Sequence, residues 1–242
     1  MALDTETSSP ALSHQNSPRF RTKGIYLAVL NQGWIRTELV QRILQWSEQA
    51  KYRVSITFPA HKPISNNRNI IVQEFLERPE FDYLMMIDSD IVPPQNVMNL
   101  ADFLASPDID IIGGLCFAWQ QHTIIPLVLE YDPKRNPEKP YHVIEFNGSE
   151  GLVECDAIGT GCILIKRKVL EHPKMKAPFT NFYDENGIKK EGLDLSFCRR
   201  AKELGFRVYC HLDYPCSHWT PFDLMEVYMG LTHKKVERIK NK

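Results

Sequence analysis

Long apolar runs are missing from this 242-residue chain: no stretch approaches the ~20 apolar residues that a membrane span requires. A secretory leader is missing too. Met1 to Arg21 is rich in Ser, Thr and Pro and has no apolar centre, so the segment 1–21 is expected to be a disordered tail. Charge of one sign is not in excess. Lys and Arg number 29 against 30 Asp and Glu, a formal net charge of −1, which gives no electrostatic reason to expect a nucleic-acid partner. The six cysteines are scattered through predicted strands and helices rather than spaced in loops. That pattern points to reduced thiols in a cytoplasmic protein and away from a disulfide framework. No internal repeat is evident.

What is present is an alternation of strand and helix patterns. Gly24–Leu30 is a short apolar run closed by Asn31-Gln32-Gly33, and Leu39, Ile43 and Trp46 mark a helix over about 38–49. Arg53–Phe58 alternates as a strand. Asn66-Asn67 can cap a helix over about 69–77. Tyr83–Ile87 is apolar on both faces, as a central parallel strand is. After a helix over about 95–105, strands are expected at 111–117, 126–131, 141–146, 161–165 and 206–211, then at 214–219, with a helix at 195–204. The fold class that follows is α/β, with a mixed, mostly parallel central sheet flanked by helices. It is expected as one domain over 22–221. Beyond it, 222–242 is expected to be a basic amphipathic helix, with Leu224, Val227, Tyr228 and Leu231 on one stripe. At most, that helix would touch a membrane surface peripherally.

The sharpest chemical feature is Asp88-Ser89-Asp90, at the C-terminal end of the expected central strand. Ligands of open α/β sheets bind beyond the strand C-termini. Two carboxylates one residue apart suit a hard divalent cation, Mn²⁺ or Mg²⁺, together with substrate phosphate oxygens. Further on, Cys210, His211, Cys216 and His218 cluster in sequence. Their spacing is not that of a zinc finger, and Cys210 and His211 on a strand point to opposite faces.

Four segments in order carry a family resemblance. They are Pro63–Asn69 with Tyr83–Asp90 and Pro93-Pro94; Cys155–Cys162; Gly192–Arg200; and Tyr209–Trp219. Together they resemble GT-A glycosyltransferases related to family 2, particularly small bacterial and viral members. The resemblance implies transfer of a sugar from a nucleoside diphosphate sugar, such as a UDP- or GDP-sugar, to a carbohydrate or other hydroxyl acceptor. It implies that Asp90 and His218 ligate the metal, with Asp88 at the metal or donor ribose and Ser89 beside the diphosphate. Arg68 would reach the nucleotide, and Asn31 would flank the nucleoside. Asp194 would be the general base of an inverting transfer. The family's acidic pair reads Leu193-Asp194 here, which leaves a retaining course open and makes Glu191 an alternative base. Gly159, Thr160 and Gly161 would line the acceptor side, where Trp119 offers an apolar platform. A nucleotidyltransferase would carry a glycine-rich basic loop after the first strand, which Leu30-Asn31-Gln32-Gly33 is not. A non-catalytic nucleotide- or glycan-binding module would need the cleft without Asp194 or His218.

Overall fold

The computed structural model describes residues 23–48, 51–120, 123–146 and 151–221, together with Val227. The tail expected over 1–21 lies outside these residues, as does all but Val227 of the helix expected over 222–242. The elements that build the site are β1 (Gly24–Leu30), α1 (Thr37–Ser47), β2 (Arg53–Thr57), α2 (Ile64–Leu76), β3 (Tyr83–Asp88), β4 (Ile111–Leu115), β5 (Leu152–Cys155), β6 (Cys162–Lys166), α3 (Leu193–Glu203) and β7 (Val208–Pro215). The seven strands form one sheet in the order β5-β7-β4-β6-β3-β1-β2.

The sheet is mixed, as its sequence predicts. β2, β1 and β3 are mutually parallel, as are β7 and β4. The parallel share is smaller than expected, because β6 runs antiparallel to both β3 and β4 and β5 runs antiparallel to β7. Side chains of the central strands alternate between two cores, one on each face. Tyr26, Ala28, Leu84 and Met86 pack on one face with Ile71 and Phe75 of α2 and Phe197 of α3. Ile25, Leu27, Val29, Met85 and Ile87 pack on the other with Leu39, Ile43 and Trp46 of α1. That two-sided burial is why β1 and β3 lack polar residues along most of their length.

Several boundaries differ from expectation for local reasons. α2 begins at Ile64, directly after Pro63, rather than at Asn69. Pro63 accepts the first helical bond from the Asn67 backbone N–H at 3.1 Å, so Asn66 and Asn67 lie inside the helix instead of capping it. The helix expected over 95–105 is a 3₁₀ turn, Val97–Asn99, followed by a single α-turn, Leu100–Phe103. The strand expected over 111–117 ends at Leu115, and Phe117–Gln120 forms a separate hairpin with Thr123–Pro126.

Close approach constrains several glycines, Gly161 at the site among them. Gly161 precedes β6, and a Cβ there would stand 2.9 Å from Cγ1 of the buried Ile91. Gly161→Ala is therefore expected to lower stability by about 1–3 kcal/mol through overpacking. Chemical denaturation checks this; an unchanged midpoint and slope would remove the close-approach explanation.

Candidate active site

The triplet Asp88-Ser89-Asp90 leaves β3 at its C-terminal end, and its backbone is held from three sides. The Asp88 N–H donates to the Gly161 carbonyl at 3.0 Å, and the Ser89 N–H to the Leu30 carbonyl at 2.9 Å. The Asp90 carbonyl accepts from the Trp219 N–H at 2.9 Å. β1, β6 and the C-terminal strand Ser217–His218 thus all meet at these three residues. Ser89 is buried, and its carbonyl accepts from the Arg36 N–H at 3.1 Å, tying the loop after β1 to the triplet.

Asp88 and Arg68 form a forked pair. The Arg68 Nη2 lies 2.8 and 2.9 Å from the two carboxylate oxygens of Asp88. Its Nη1 donates to the Thr160 carbonyl at 3.2 Å, and the guanidinium lies over the Phe179 ring at 5.6 Å. Arg68 is 2% exposed. Arg68, expected at a nucleotide, and Asp88, expected at the metal or ribose, are paired with each other while both border the same cleft. The physical reason is that α2 starts early: Arg68 falls in its second turn, facing β3 rather than the solvent at the helix start. Burial raises the Asp88 carboxyl to a pKa of about 6. Arg68 opposes that rise, while Asp194 and Asp90 reinforce it. Arg68→Lys keeps the charge but has one nitrogen where two are used, Nη2 on Asp88 and Nη1 on the Thr160 carbonyl. It is expected to cost about 1.5–3 kcal/mol, the scale of a charged hydrogen bond lost in a buried setting. Urea unfolding would test this, and wild-type stability in the variant would contradict it.

Asp90 faces His218. The short strand Ser217–His218 pairs antiparallel with Ile91–Val92, which brings the His218 Nε2 to 3.6 Å from the Asp90 Oδ2. The other ring nitrogen, Nδ1, is 2.6 Å from the Phe117 carbonyl. A carbonyl only accepts, so Nδ1 carries the proton and Nε2 is left directed at Asp90. Asp90 raises the His218 pKa most strongly, because the protonated ring would donate from Nε2 to its carboxylate; the Phe117 carbonyl adds to the rise, while burial opposes it.

Asp194 stands in the first turn of α3, whose N-cap residue is Gly192. It does not cap the helix. Its Oδ1 accepts from the Thr160 Oγ1 at 2.5 Å, and its Oδ2 lies 3.4 Å from the Thr160 N–H. Thr160 is fully buried and therefore links two carboxylates: its hydroxyl holds Asp194, and its carbonyl holds the arginine that grips Asp88. The alternative base, Glu191, is paired with Arg199 at 2.9 Å.

Asp88, Gly159 and Asp194 border one cleft of about 830 Å³. Trp119 lies instead with His218 along a smaller depression of about 430 Å³. Asn31 is buried and serves the loop rather than the cleft. Its amide donates to the Phe58 and Pro59 carbonyls, both at 3.2 Å, and its oxygen accepts from the Gly33 N–H at 3.0 Å. His211 is buried between the Phe103 and Tyr214 rings, with centroids at 4.5 and 4.8 Å, and burial lowers its pKa. It is a core residue, and the six cysteines are free and buried.

Whether the residues fit a divalent cation can be tested on this geometry. Among the described residues, no three His, Cys, Asp or Glu side chains gather around one point. Two do approach each other. Ligands about 2.1 Å from a shared cation stand roughly 3–3.5 Å apart, and Asp90 and His218 are 3.6 Å apart. The His218 tautomer is fixed by a carbonyl in the manner of metal-bound histidines. The spacing of the pair is compatible with a shared cation, which would need its further ligands from outside the described residues.

Thr160, expected to line the acceptor side, is buried, and its hydroxyl holds Asp194 instead. One contributor has no place in the sequence reading. Arg36 lies over the half-exposed Trp219 ring at 4.1 Å, and both residues bond the triplet backbone.

Among the described residues, no helix is long and apolar enough to cross a membrane. No family model matches the chain, and no curated protein does. Solved structures do. The chain resembles the glycosyltransferase involved in glycosylation of the major capsid of PBCV-1 only loosely, with a TM-score of 0.35 and 15% identity over 63% of this chain and 64% of that one. With A197 from STIV the TM-score is 0.56 at 18% identity, over 82% of this chain and 86% of that one, and this likeness shows a shared α/β fold.

Proposed function

We propose that the protein is a metal-dependent glycosyltransferase of the GT-A type, moving a sugar from a nucleoside diphosphate sugar to a hydroxyl acceptor. The observation that carries this reading is that the Asp90–His218 pair and, through Thr160 and Gly161, the Asp194 carboxylate are both tied to the C-terminal end of β3. The pair offers ligands for a cation, and Asp194 offers a carboxylate bordering the large cleft. A bound Mn²⁺ or Mg²⁺ would supply charge neutralisation at the leaving diphosphate. Asp90 and His218 would hold it. Arg68 would act at one remove, fixing Asp88 so that the strand end keeps its shape.

In the transfer, the acceptor oxygen bonds to the anomeric carbon as the bond from that carbon to the diphosphate oxygen breaks. The bonding pair leaves with the diphosphate, and the acceptor proton passes to the Asp194 carboxylate. Attack from the face opposite the leaving group inverts the anomeric centre. Nucleotidyl transfer is less well supported. The Asn31 and Gly33 N–H groups are spent on the Pro59 carbonyl and the Asn31 side chain, leaving the loop after β1 without a phosphate cradle.

The test is a thermal-shift series with UDP, GDP and dTDP, each with and without Mn²⁺. A saturating ligand at a hundredfold excess over Kd contributes about 2.7 kcal/mol. At least one diphosphate is expected to stabilise the protein, and more so with the metal. No response to any of them would sink the proposal.

A further inference from the structure

The cleft that Asp194 borders is of mixed character: polar residues such as Gln120, Thr123, His142 and Asn181 line part of it, and an apolar stretch lines another part. Ile125, Leu127, Leu129, Ile158, Leu193 and Leu195 form that stretch. Aliphatic side chains offer nothing to hydroxyl groups, and polar groups pressed against them lose their hydrogen bonds to water without replacement. An apolar moiety gains by entering. The rim has the opposite character. Lys139, Lys189 and Lys190 border the same cleft, with Glu138 beside them. Lys190 is paired with Asp184 at 3.2 Å. Lys139 and Lys189 have no ion-pair partner among the described residues, so two free ammonium groups stand where the apolar wall meets solvent.

Lys189 and Lys190 of this rim belong to a hairpin. Phe182–Tyr183 pairs with Lys189–Glu191, and the turn between them is fixed by Asp184, whose Oδ1 accepts from the Asn186 and Ile188 N–H groups at 3.0 and 2.9 Å. Phe182, Tyr183 and Ile188 are exposed by 50, 51 and 59%. A rigid hairpin showing two aromatics and an isoleucine beside lysines matches the boundary of an anionic bilayer, where rings sit at head-group level and cations meet phosphate.

We infer that the acceptor is an anionic amphiphile held in a membrane surface: its apolar chain lies along the aliphatic wall, its phosphate meets Lys139 and Lys189, and the Phe182–Glu191 hairpin docks on the bilayer. The inference rests on the glycosyl-transfer reading for its consequence, since the amphiphile's hydroxyl would face Asp194. The binding itself is measurable without any nucleotide.

The probe is submicellar dihexanoyl phosphatidylglycerol, titrated calorimetrically into the full chain. It is compared with dihexanoyl phosphatidylcholine, which lacks net charge, and glycerol 3-phosphate, which lacks chains. Binding of the phosphatidylglycerol at least tenfold tighter than either control is expected. The Lys139→Glu/Lys189→Glu variant should lose at least tenfold in affinity at unchanged melting temperature, both side chains being exposed. With mixed phosphatidylcholine–phosphatidylglycerol vesicles, Phe182→Ser/Ile188→Ser should reduce co-sedimentation severalfold. Equal binding of either control overturns the inference. So does undiminished binding by the lysine variant, because the five cations among the last ten residues would then suffice. The nucleotide series on the same preparation keeps the two readings apart. A nucleotide response without lipid binding overturns the amphiphile site alone, and lipid binding without a nucleotide response overturns glycosyl transfer alone.

Discussion

Asp90→Ala is expected to abolish the Mn²⁺-dependent part of stabilisation by a nucleoside diphosphate and to bring sugar transfer to background. The carboxylate is one of two protein groups placed to share a cation, at 3.6 Å from the His218 Nε2. With so small a protein contribution, neither ligand is dispensable. Removing Asp90 leaves a single imidazole, and hard divalent cations are held poorly by one nitrogen. The fold should tolerate the change, because the contacts that anchor this residue to its neighbours are made by backbone: its carbonyl accepts from Trp219. His218→Ala should also weaken the metal dependence, though less completely, because the carboxylate that a hard cation prefers remains. The check is the difference in melting temperature with and without Mn²⁺ at fixed nucleotide, for wild type and both variants. An Asp90→Ala protein with the wild-type difference would show that the cation, if any, sits elsewhere.

The central strands were legible because physics leaves little choice for them. β1 and β3 are covered on both faces, so their sequences are nearly continuous apolar runs, and the acids that end β3 stand out by contrast. β5 was missed for the converse reason: it is an edge strand, with Leu152 exposed and Glu154 bonded to Arg207, and four residues of mixed character carry no period. The start of α2 was misplaced because two asparagines gave a stronger local signal than the proline before them. That error of five residues decided the role of Arg68. Its pairing with Asp88, twenty positions on, depends on how α2 lies against β3. No local pattern encodes such a contact. The cleft bordered by Asp194 was equally hidden, since its wall is assembled from short strands and a helix start far apart in sequence.

Asp194→Asn is expected to lower kcat by about 10²–10⁴-fold, the range of general base catalysis, with nucleotide and metal binding intact. The amide keeps the shape of the carboxylate and can still accept from the Thr160 hydroxyl, now 2.5 Å from Oδ1. Thr160 therefore continues to hold both the residue and, through its carbonyl, Arg68. What the amide cannot do is take the acceptor proton. A role confined to holding Thr160 would predict the reverse pattern, with near-normal turnover and a change only in stability. Glu191 is poorly placed to substitute, because Arg199 occupies its carboxylate. Single-turnover kinetics with the thermal shift measured in parallel separate the two roles. A variant that turns over within a few-fold of wild type would take the base assignment away from Asp194. So would NMR showing that the sugar keeps its anomeric configuration, because a retaining transfer needs no base on the acceptor side.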